Sequence, residues 1–277
     1  MIGFDLRRRR DGRGRLPGGA GRAVPGRSRC RAALLAVSLL LPLAAAAQSI
    51  TVSAAASLGH AFKEIGARFE AATPGATVRF NFAASGVLLQ QIVQGAPVDV
   101  YASADQATMD RGMKEGLFDA GSRTDIAGNR VVLVVPAHGS SMIGGLEDLR
   151  DPAVRRIAIG KPATVPAGRY AREALESAAL WPALEPKLVL ADSVRQVLDY
   201  VSRGEVEAGF VYATDAALMP DRVRVALVAS GHAPVAYPVA VVAESRQKAL
   251  AARFLRFLAT PAAREVLSRH GFGPASP

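Results

Sequence analysis

From Ile50 onward, short apolar runs alternate with longer stretches whose apolar residues recur every three to four positions. Runs of the first kind read as buried strands and those of the second as amphipathic helices. Their alternation is the mark of an α/β architecture. Ile50–Ala54 predicts a buried strand, and Leu58–Ala71 a helix with Phe62, Ile65 and Phe69 on one face. A strand at Thr77–Ala83, a helix over Val87–Val93, a strand at Val98–Ala102 and a helix over Gln106–Glu115 complete a first set. A second set begins with strands at Arg130–Val135 and Ile157–Ile159. A helix over Gly168–Ser177, a strand at Lys187–Leu190, a helix over Arg195–Ser202 and a strand at Ala208–Tyr212 continue it. Strands at Arg222–Val228 and Pro238–Ala243 and helices over Gln247–Leu258 and Ala262–His270 end the chain.

Two α/β sets predict two compact lobes. The apolar runs Val131–Val135 and Val223–Val228 are the best candidates for carrying the chain between them. The C-terminal helices then return to the first lobe, so residues 48–128 and 233–277 form lobe 1 and residues 129–232 an inserted lobe 2. Ligands of open α/β sheets sit beyond the carboxyl ends of the strands, which points to a cleft between the lobes.

Residues 1–47 break the pattern. They hold ten Arg and two acids, then an apolar core from Ala32 to Leu43, then Ala45-Ala46-Ala47. This is the layout of a secretory signal peptide, with cleavage expected after Ala47. Pro42 and the shortness of the core argue against a membrane anchor, since a spanning helix needs roughly 20 apolar residues. The Arg-rich stretch is unusually long, and a true start near Val24 would shorten it. The chain carries a net charge of +10, but removing the leader leaves +2 on Gln48–Pro277, from 24 basic and 22 acidic residues. Binding to nucleic acid therefore loses its electrostatic support. The single cysteine, Cys30, leaves with the leader, so the mature chain has no thiol or disulfide.

Candidate chemistry lies where strands give way to helices. Ser57, Ser85, Ala167 and Val194 each open a predicted helix, and Tyr212 ends a predicted strand. Pro166 suits a first helical turn and leaves the Ala167 N–H free. Helix N-termini carry unpaired N–H groups and the positive end of the dipole, so they receive anions without a formal countercharge. Ser and Tyr hydroxyls add donors. Taken singly, Ser57, Ser85 and Ser193 are more simply read as helix N-caps.

Enzyme readings find less support. His60, His138, His232 and His270 are scattered without metal-like spacing, and no phosphate-binding Gly-x-x-x-x-Gly-Lys-Ser/Thr loop occurs. Asp99, Asp105, Asp192 and Asp215 fall near the same loops, where acids more often orient loops or cap helices than transfer protons.

Several stretches carry a family resemblance: Ala54-Ala55-Ala56-Ser57-Leu58, Phe82-Ala83-Ala84-Ser85, Gly95-Ala96-Pro97-Val98-Asp99, Ser103-Ala104-Asp105-Gln106, Val165-Pro166-Ala167-Gly168-Arg169-Tyr170-Ala171, Val211-Tyr212, Tyr237-Pro238-Val239-Ala240 and Gly271-Phe272. In this order and spacing the chain from about Ser49 to Gly273 resembles the periplasmic molybdate-binding proteins of ABC importers. The resemblance implies an α/β, two-lobed type II periplasmic binding protein fold, with mixed, mainly parallel sheets flanked by helices and the ligand cleft between lobes. It implies molybdate or tungstate as ligand, held by Ser57 and Ser85 (hydroxyl and N–H), Ala167 and Val194 (N–H) and Tyr212 (hydroxyl). It further implies a monomer in the periplasm, ABC permease subunits as partners, no cofactor, no free metal cation and no catalysis. Lys161-Pro162-Ala163-Thr164 departs from the family pattern. Other readings are a receptor for another oxyanion such as sulfate, or an enzyme on a binding-protein scaffold.

Overall fold

The computed structural model describes residues 48–138 and 143–275. The expected leader, its cleavage after Ala47, the start near Val24 and Cys30 all lie outside the described residues.

In chain order, β1 (Gln48–Ala55) leads through a 3-10 turn at Ala56–Leu58 into α1 (Gly59–Ala72). Then come β2 (Ala76–Ala83), α2 (Ser85–Val93), β3 (Val100–Ala102), α3 (Gln106–Lys114), β4 (Thr124–Asn129) and β5 (Val131–Pro136). Next are β6 (Ile157–Gly160), α4 (Pro166–Ser177), α5 (Trp181–Leu184), β7 (Leu188–Ala191), α6 (Val194–Ser202), β8 (Ala208–Tyr212) and α7 (Ala213–Ala216). The chain closes with β9 (Val223–Val228), β10 (Val235–Val241), α8 (Lys248–Leu258) and α9 (Pro261–Arg269).

The strands form two five-stranded sheets, ordered β2-β1-β3-β10-β4 and β7-β6-β8-β5-β9. In the first sheet β1 runs parallel to β2 and β3, while β10 runs antiparallel to β3 and β4. The second repeats the scheme: β6 is parallel to β7 and β8, and β5 antiparallel to β8 and β9. Both sheets are thus mixed, as expected, and each has two antiparallel pairings. The reason is the path of the chain, which leaves the first sheet after β4, enters the second at β5, and returns between β9 and β10. Strands reached this way have no helical crossover to turn them parallel.

Sequence pattern accounts for most of the elements. The face of α1 formed by Phe62, Ile65 and Phe69 is fully buried. Phe69 meets Phe254 and Phe257 of α8 at centroid distances of 5.2 and 5.5 Å, so α8 is pinned to α1 by aromatic edges. Burying each such ring contributes roughly 2–3 kcal/mol.

Two strands depart from the expected pattern. β4 (Thr-Asp-Ile-Ala-Gly-Asn) was not foreseen, because four of its six residues, Asp, Ala, Gly and Asn, are poor strand formers. Its place comes from pairing with β10 and from a bridge between Gly128 and Gly273. β10 begins at Val235 rather than Pro238, with a register shift between Ala236 and Pro238. Such an irregularity accommodates a residue that has no N–H. Pro238 still serves the sheet, since its carbonyl accepts from the Ser103 N–H at 2.9 Å. Among the described residues, no helix is long and apolar enough to cross a membrane.

Candidate anion site

Helices α2, α4 and α6 each start one or two residues before the apolar periodicity that predicts them, at Ser85, Pro166 and Val194. Those added residues are the ones with candidate chemistry. Ser57 lies in the 3-10 turn beyond β1, Ser85 is the first residue of α2, Ala167 follows Pro166 in α4, Val194 opens α6, and Tyr212 ends β8. All five line one small cavity, together with Ala55, Ala56, Ala83, Ala84, Ala104, Val165 and Pro166. Elements of both sheets therefore meet there. No charged side chain and no imidazole belongs to this lining. Larger grooves of about 480 and 420 Å³ lie beside the C-terminal residues, away from the turns that follow β1, β2, β6 and β8.

The cap reading separates the serines. Ser193 is a true N-cap, its hydroxyl accepting from the Gln196 N–H at 3.2 Å. Ser57 and Ser85 are not: the residues before their helical turns are Ala55 and Ala84, and neither start has a side-chain cap. The N–H groups of Ser85, Ala167 and Val194 stand in first turns, where no intrahelical carbonyl reaches them.

Both serine hydroxyls have hydrogen-bond partners behind them. Ser85 Oγ accepts from the Ala104 N–H at 3.0 Å, and the Ser85 carbonyl accepts from the Tyr101 hydroxyl at 2.8 Å. Ser57 Oγ lies 3.1 Å from the Tyr237 hydroxyl, which in turn receives the Asn129 side-chain amide at 3.1 Å. The Tyr212 hydroxyl donates to the Ala104 carbonyl at 3.4 Å, and Tyr170 reaches the same carbonyl at 3.5 Å. These bonds are long and readily exchanged for a better acceptor. Burial pushes the Tyr212 phenol well above its ordinary pKa, so it stays protonated and can donate.

The turn before Ala167 depends on one glycine. A Cβ on Gly168 would lie 1.8 Å from the Gly160 carbonyl oxygen, so only glycine lets the start of α4 rest on the end of β6.

Contacts across the cleft tie the two sheets together beside the cavity. The Gly86 N–H donates to the Thr164 carbonyl at 2.9 Å. Arg169 of α4 pairs with Asp105, which is nearly fully buried and caps α3 through the Thr108 N–H. Arg195 of α6 donates to the Ser57 carbonyl at 3.2 Å and pairs with Asp215, Nε to Oδ1, at 2.9 Å. That pair lies close but is not aligned as a directed hydrogen bond. Asp215 is wholly buried; burial raises its pKa to about 6, against the opposing pull of Arg195 and the Tyr212 N–H.

The four aspartates near the loops all have orienting partners. Asp99 accepts from the Thr51 N–H at 2.8 Å and the Ser245 hydroxyl at 2.6 Å. Asp105 and Asp215 act as described, and Asp192 pairs with Lys161 at the surface. The departure at Lys161 is thereby located: its charge is matched by a neighbour, and it does not line the cavity. Among the described residues, no group of three or more His, Cys, Asp or Glu side chains is placed to hold a metal ion.

Sequence reasoning missed Asn129, Tyr237, Ala104 and Arg195. Ala104 and Tyr237 left a signal only as members of the stretches that carry the family resemblance, Tyr237 also as an aromatic beside a proline inside an apolar run. Arg195 reads as an ordinary helical surface residue.

Comparison with known proteins gives a consistent result. Residues 50–273 match the family of bacterial extracellular solute-binding proteins. The chain is 37% identical over 237 residues to the molybdate-binding protein ModA of Escherichia coli, covering 80% of this chain and 88% of that protein. Among solved structures, it superposes on the periplasmic molybdate-binding protein of Azotobacter vinelandii with a TM-score of 0.71 at 23% identity, covering 82% of this chain and all of that one. The sulfate-binding protein SubI of Mycobacterium tuberculosis gives a TM-score of 0.74 at 20% identity, covering 83% and 88%. At these identities, the two structures establish a shared two-lobed binding-protein fold.

Proposed function

The chain belongs to the family of bacterial extracellular solute-binding proteins, and on that premise we propose that it is the receptor of an ABC importer that captures molybdate or tungstate and delivers it to the membrane permease. One observation carries this reading: Ser57, Ser85, Ala167, Val194 and Tyr212, drawn from both sheets, converge on one cavity whose lining has donors but no carboxylate, imidazole or fixed cation.

Such a site suits a fully deprotonated tetrahedral dianion. Each ligand oxygen accepts, and each wall group donates. A protonated oxygen would face donors only and leave a proton unpaired, which costs about 1–3 kcal/mol. Phosphate keeps a proton near neutrality and is penalised. Sulfate has the right charge but is smaller, so donors held by two rigid sheets cannot all reach it.

Residues 48–128 with 233–277 act as lobe 1 and supply Ser57 and Ser85. Residues 129–232 act as lobe 2 and supply Ala167, Val194 and Tyr212, and capture is hinge closure of one lobe onto the other. The protein works in the periplasm as a monomer after its leader is cleaved behind Ala47. A lining without carboxylate or imidazole supports a receptor over an enzyme.

Melting the mature protein with molybdate, tungstate, sulfate, phosphate and chloride tests the assignment. At 100-fold excess over Kd, a ligand of the native state adds about 2.7 kcal/mol, a rise of roughly 5–10 °C for a chain of this size. The rise is expected with the first two anions only. Tyr212→Phe should shrink it while leaving the unliganded midpoint nearly unchanged; Ser85→Ala should shrink it too, and also lower the unliganded midpoint, because the buried Ala104 N–H loses its acceptor. A normal rise in both variants removes the site assignment, and turnover of a small organic acid would favour the enzyme reading instead.

A further inference from the structure

We propose that Asn129 and Tyr237, neither of which lines the cavity, are positioning residues that aim the Ser57 proton into it and thereby set its preference for deprotonated anions. The inference rests on the oxyanion reading above and adds to it a source of selectivity.

The direction of each proton follows from the bonds. The Arg130 N–H donates to Asn129 Oδ1 at 2.8 Å, so that oxygen is fixed as the acceptor end of the amide. Asn129 Nδ2 then has two protons, and two acceptors receive them: Thr214 Oγ1 at 2.9 Å and the Tyr237 hydroxyl oxygen at 3.1 Å. Tyr237 is fully buried, with its ring edge-on to Phe272 at 5.2 Å and tilted against Tyr212 at 6.0 Å, so it cannot swing to another partner. Its oxygen is occupied by Asn129, and its own proton has one acceptor among the described residues, Ser57 Oγ at 3.1 Å. Leaving a buried hydroxyl proton unpaired is costly, so Tyr237 donates to Ser57. Burial also holds the Tyr237 phenol above its ordinary pKa, which keeps that proton in place.

Ser57 Oγ is therefore approached from behind by a donor, and its own proton turns towards the cavity. Were the chain of bonds reversed, Ser57 would offer a lone pair there and welcome a protonated oxygen. Asn129 decides between the two, because its Nδ2 can only donate. Ser85 is set in the same sense by a backbone donor, the Ala104 N–H. Asn129 is also the last residue of β4, where the chain leaves the first sheet, and its second proton reaches Thr214 on the second-sheet side. The device is thus rooted at the join between the sheets.

Five chains test this: wild type, Tyr237→Phe, Ser57→Ala, the double variant and Asn129→Asp. Each is titrated calorimetrically with molybdate and with phosphate, and melted without ligand. Tyr237→Phe should weaken molybdate about five- to tenfold when Ser57 is present, and less than twofold in the Ser57→Ala background. It should also narrow the molybdate-to-phosphate ratio, whereas Ser57→Ala weakens molybdate without improving phosphate. Asn129→Asp, which swaps the donor for an acceptor, should narrow the ratio in the same direction. Equal losses from Tyr237→Phe in both backgrounds, with an unchanged ratio, would make Tyr237 a packing residue and overturn the proposal. If the wild type shows no molybdate heat, the oxyanion reading fails on its own account. The ligand-free melts then still judge the Tyr237–Ser57 bond, and additive midpoint shifts would refute it.

Discussion

Gly86→Ala separates the stability of this protein from its grip on a ligand. Gly86 is the second residue of α2, and its N–H donates across the cleft to Thr164. A Cβ built there would lie 2.8 Å from both Cα and O of Thr164 and 3.2 Å from its carbonyl carbon. Comfortable carbon contacts are about 3.5–4.0 Å, so the overlap approaches an ångström. Neither side yields easily, because the offended atoms are backbone. Thr164 sits in a turn closed by its own N–H and that of Val165 to the Lys161 carbonyl, at 3.0 and 2.8 Å. The cheapest relief is to part the two sheets at the cleft and lose the 2.9 Å bond. Overpacking of this kind costs about 1–3 kcal/mol, a five- to 150-fold loss in affinity if closure requires the contact. Within α2 alone, alanine is the better helix former by up to about 1 kcal/mol. The substitution should therefore leave the unliganded midpoint level or slightly raised while weakening molybdate in calorimetry. A Kd within twofold of wild type, or an unliganded midpoint that falls in step with affinity, would refute the reasoning.

Two further outcomes are expected. Burial raises the folded pKa of Asp215 to about 6, above its value of 3.8 in an unfolded chain. The folded state then binds more protons than the unfolded one between about pH 4 and 6, so this group's contribution to stability falls as pH rises through that window. Asp215→Asn should remove that fall, so the difference between the wild-type and variant urea-denaturation series should slope between about pH 4 and 6, and a flat difference would show that Asp215 does not titrate there. Arg169→Met removes the cross-cleft partner of Asp105, and because Arg169 is about a quarter exposed its loss should weaken molybdate about tenfold rather than a hundredfold. Stopped-flow measurement should place most of that loss in the dissociation rate; an unchanged rate would mean that the pair plays no part in holding the cleft shut.

Much of this fold was legible because strands and helices announce their own periodicity. The Phe62–Ile65–Phe69 face of α1 and the uniformly buried β8 and β10 follow from local pattern alone. β4 was illegible for the opposite reason: its partners, not its residues, make it a strand. At the site, Ser57, Ser85, Ala167, Val194 and Tyr212 were visible as strand-to-helix transitions, and the structure gathers them around one cavity. What supports them was not visible. Tyr237 meets Ser57 across 180 positions and Asn129 meets Tyr237 across 108, so no local spacing could report either contact. The single-residue reading also misjudged Ser57 and Ser85 as caps, since a serine at a helix start looks the same from sequence whether it caps the helix or precedes an open turn.

The electrostatics of the cavity connect selectivity to closure. Arg169 and Arg195, which bridge the sheets beside the cavity, and Lys161 at the surface are each matched by an aspartate, so a bound dianion would meet no unbalanced charge from them. On the proposed site assignment, what attracts it is partial charge: N–H groups at the starts of α2, α4 and α6, and hydroxyl protons of Ser57, Ser85 and Tyr212. A dipole's field falls off faster with distance than that of a charge, so such donors count only at hydrogen-bond range. The first sheet carries Ser57 and Ser85, and the second carries Ala167, Val194 and Tyr212. Half of them cannot replace the water that a dianion gives up. On that proposal, affinity requires both sheets in contact with the same anion, and an ion of the wrong size or protonation fails at closure rather than at entry. A permease that recognises the closed shape would then read chemical identity without touching the ligand.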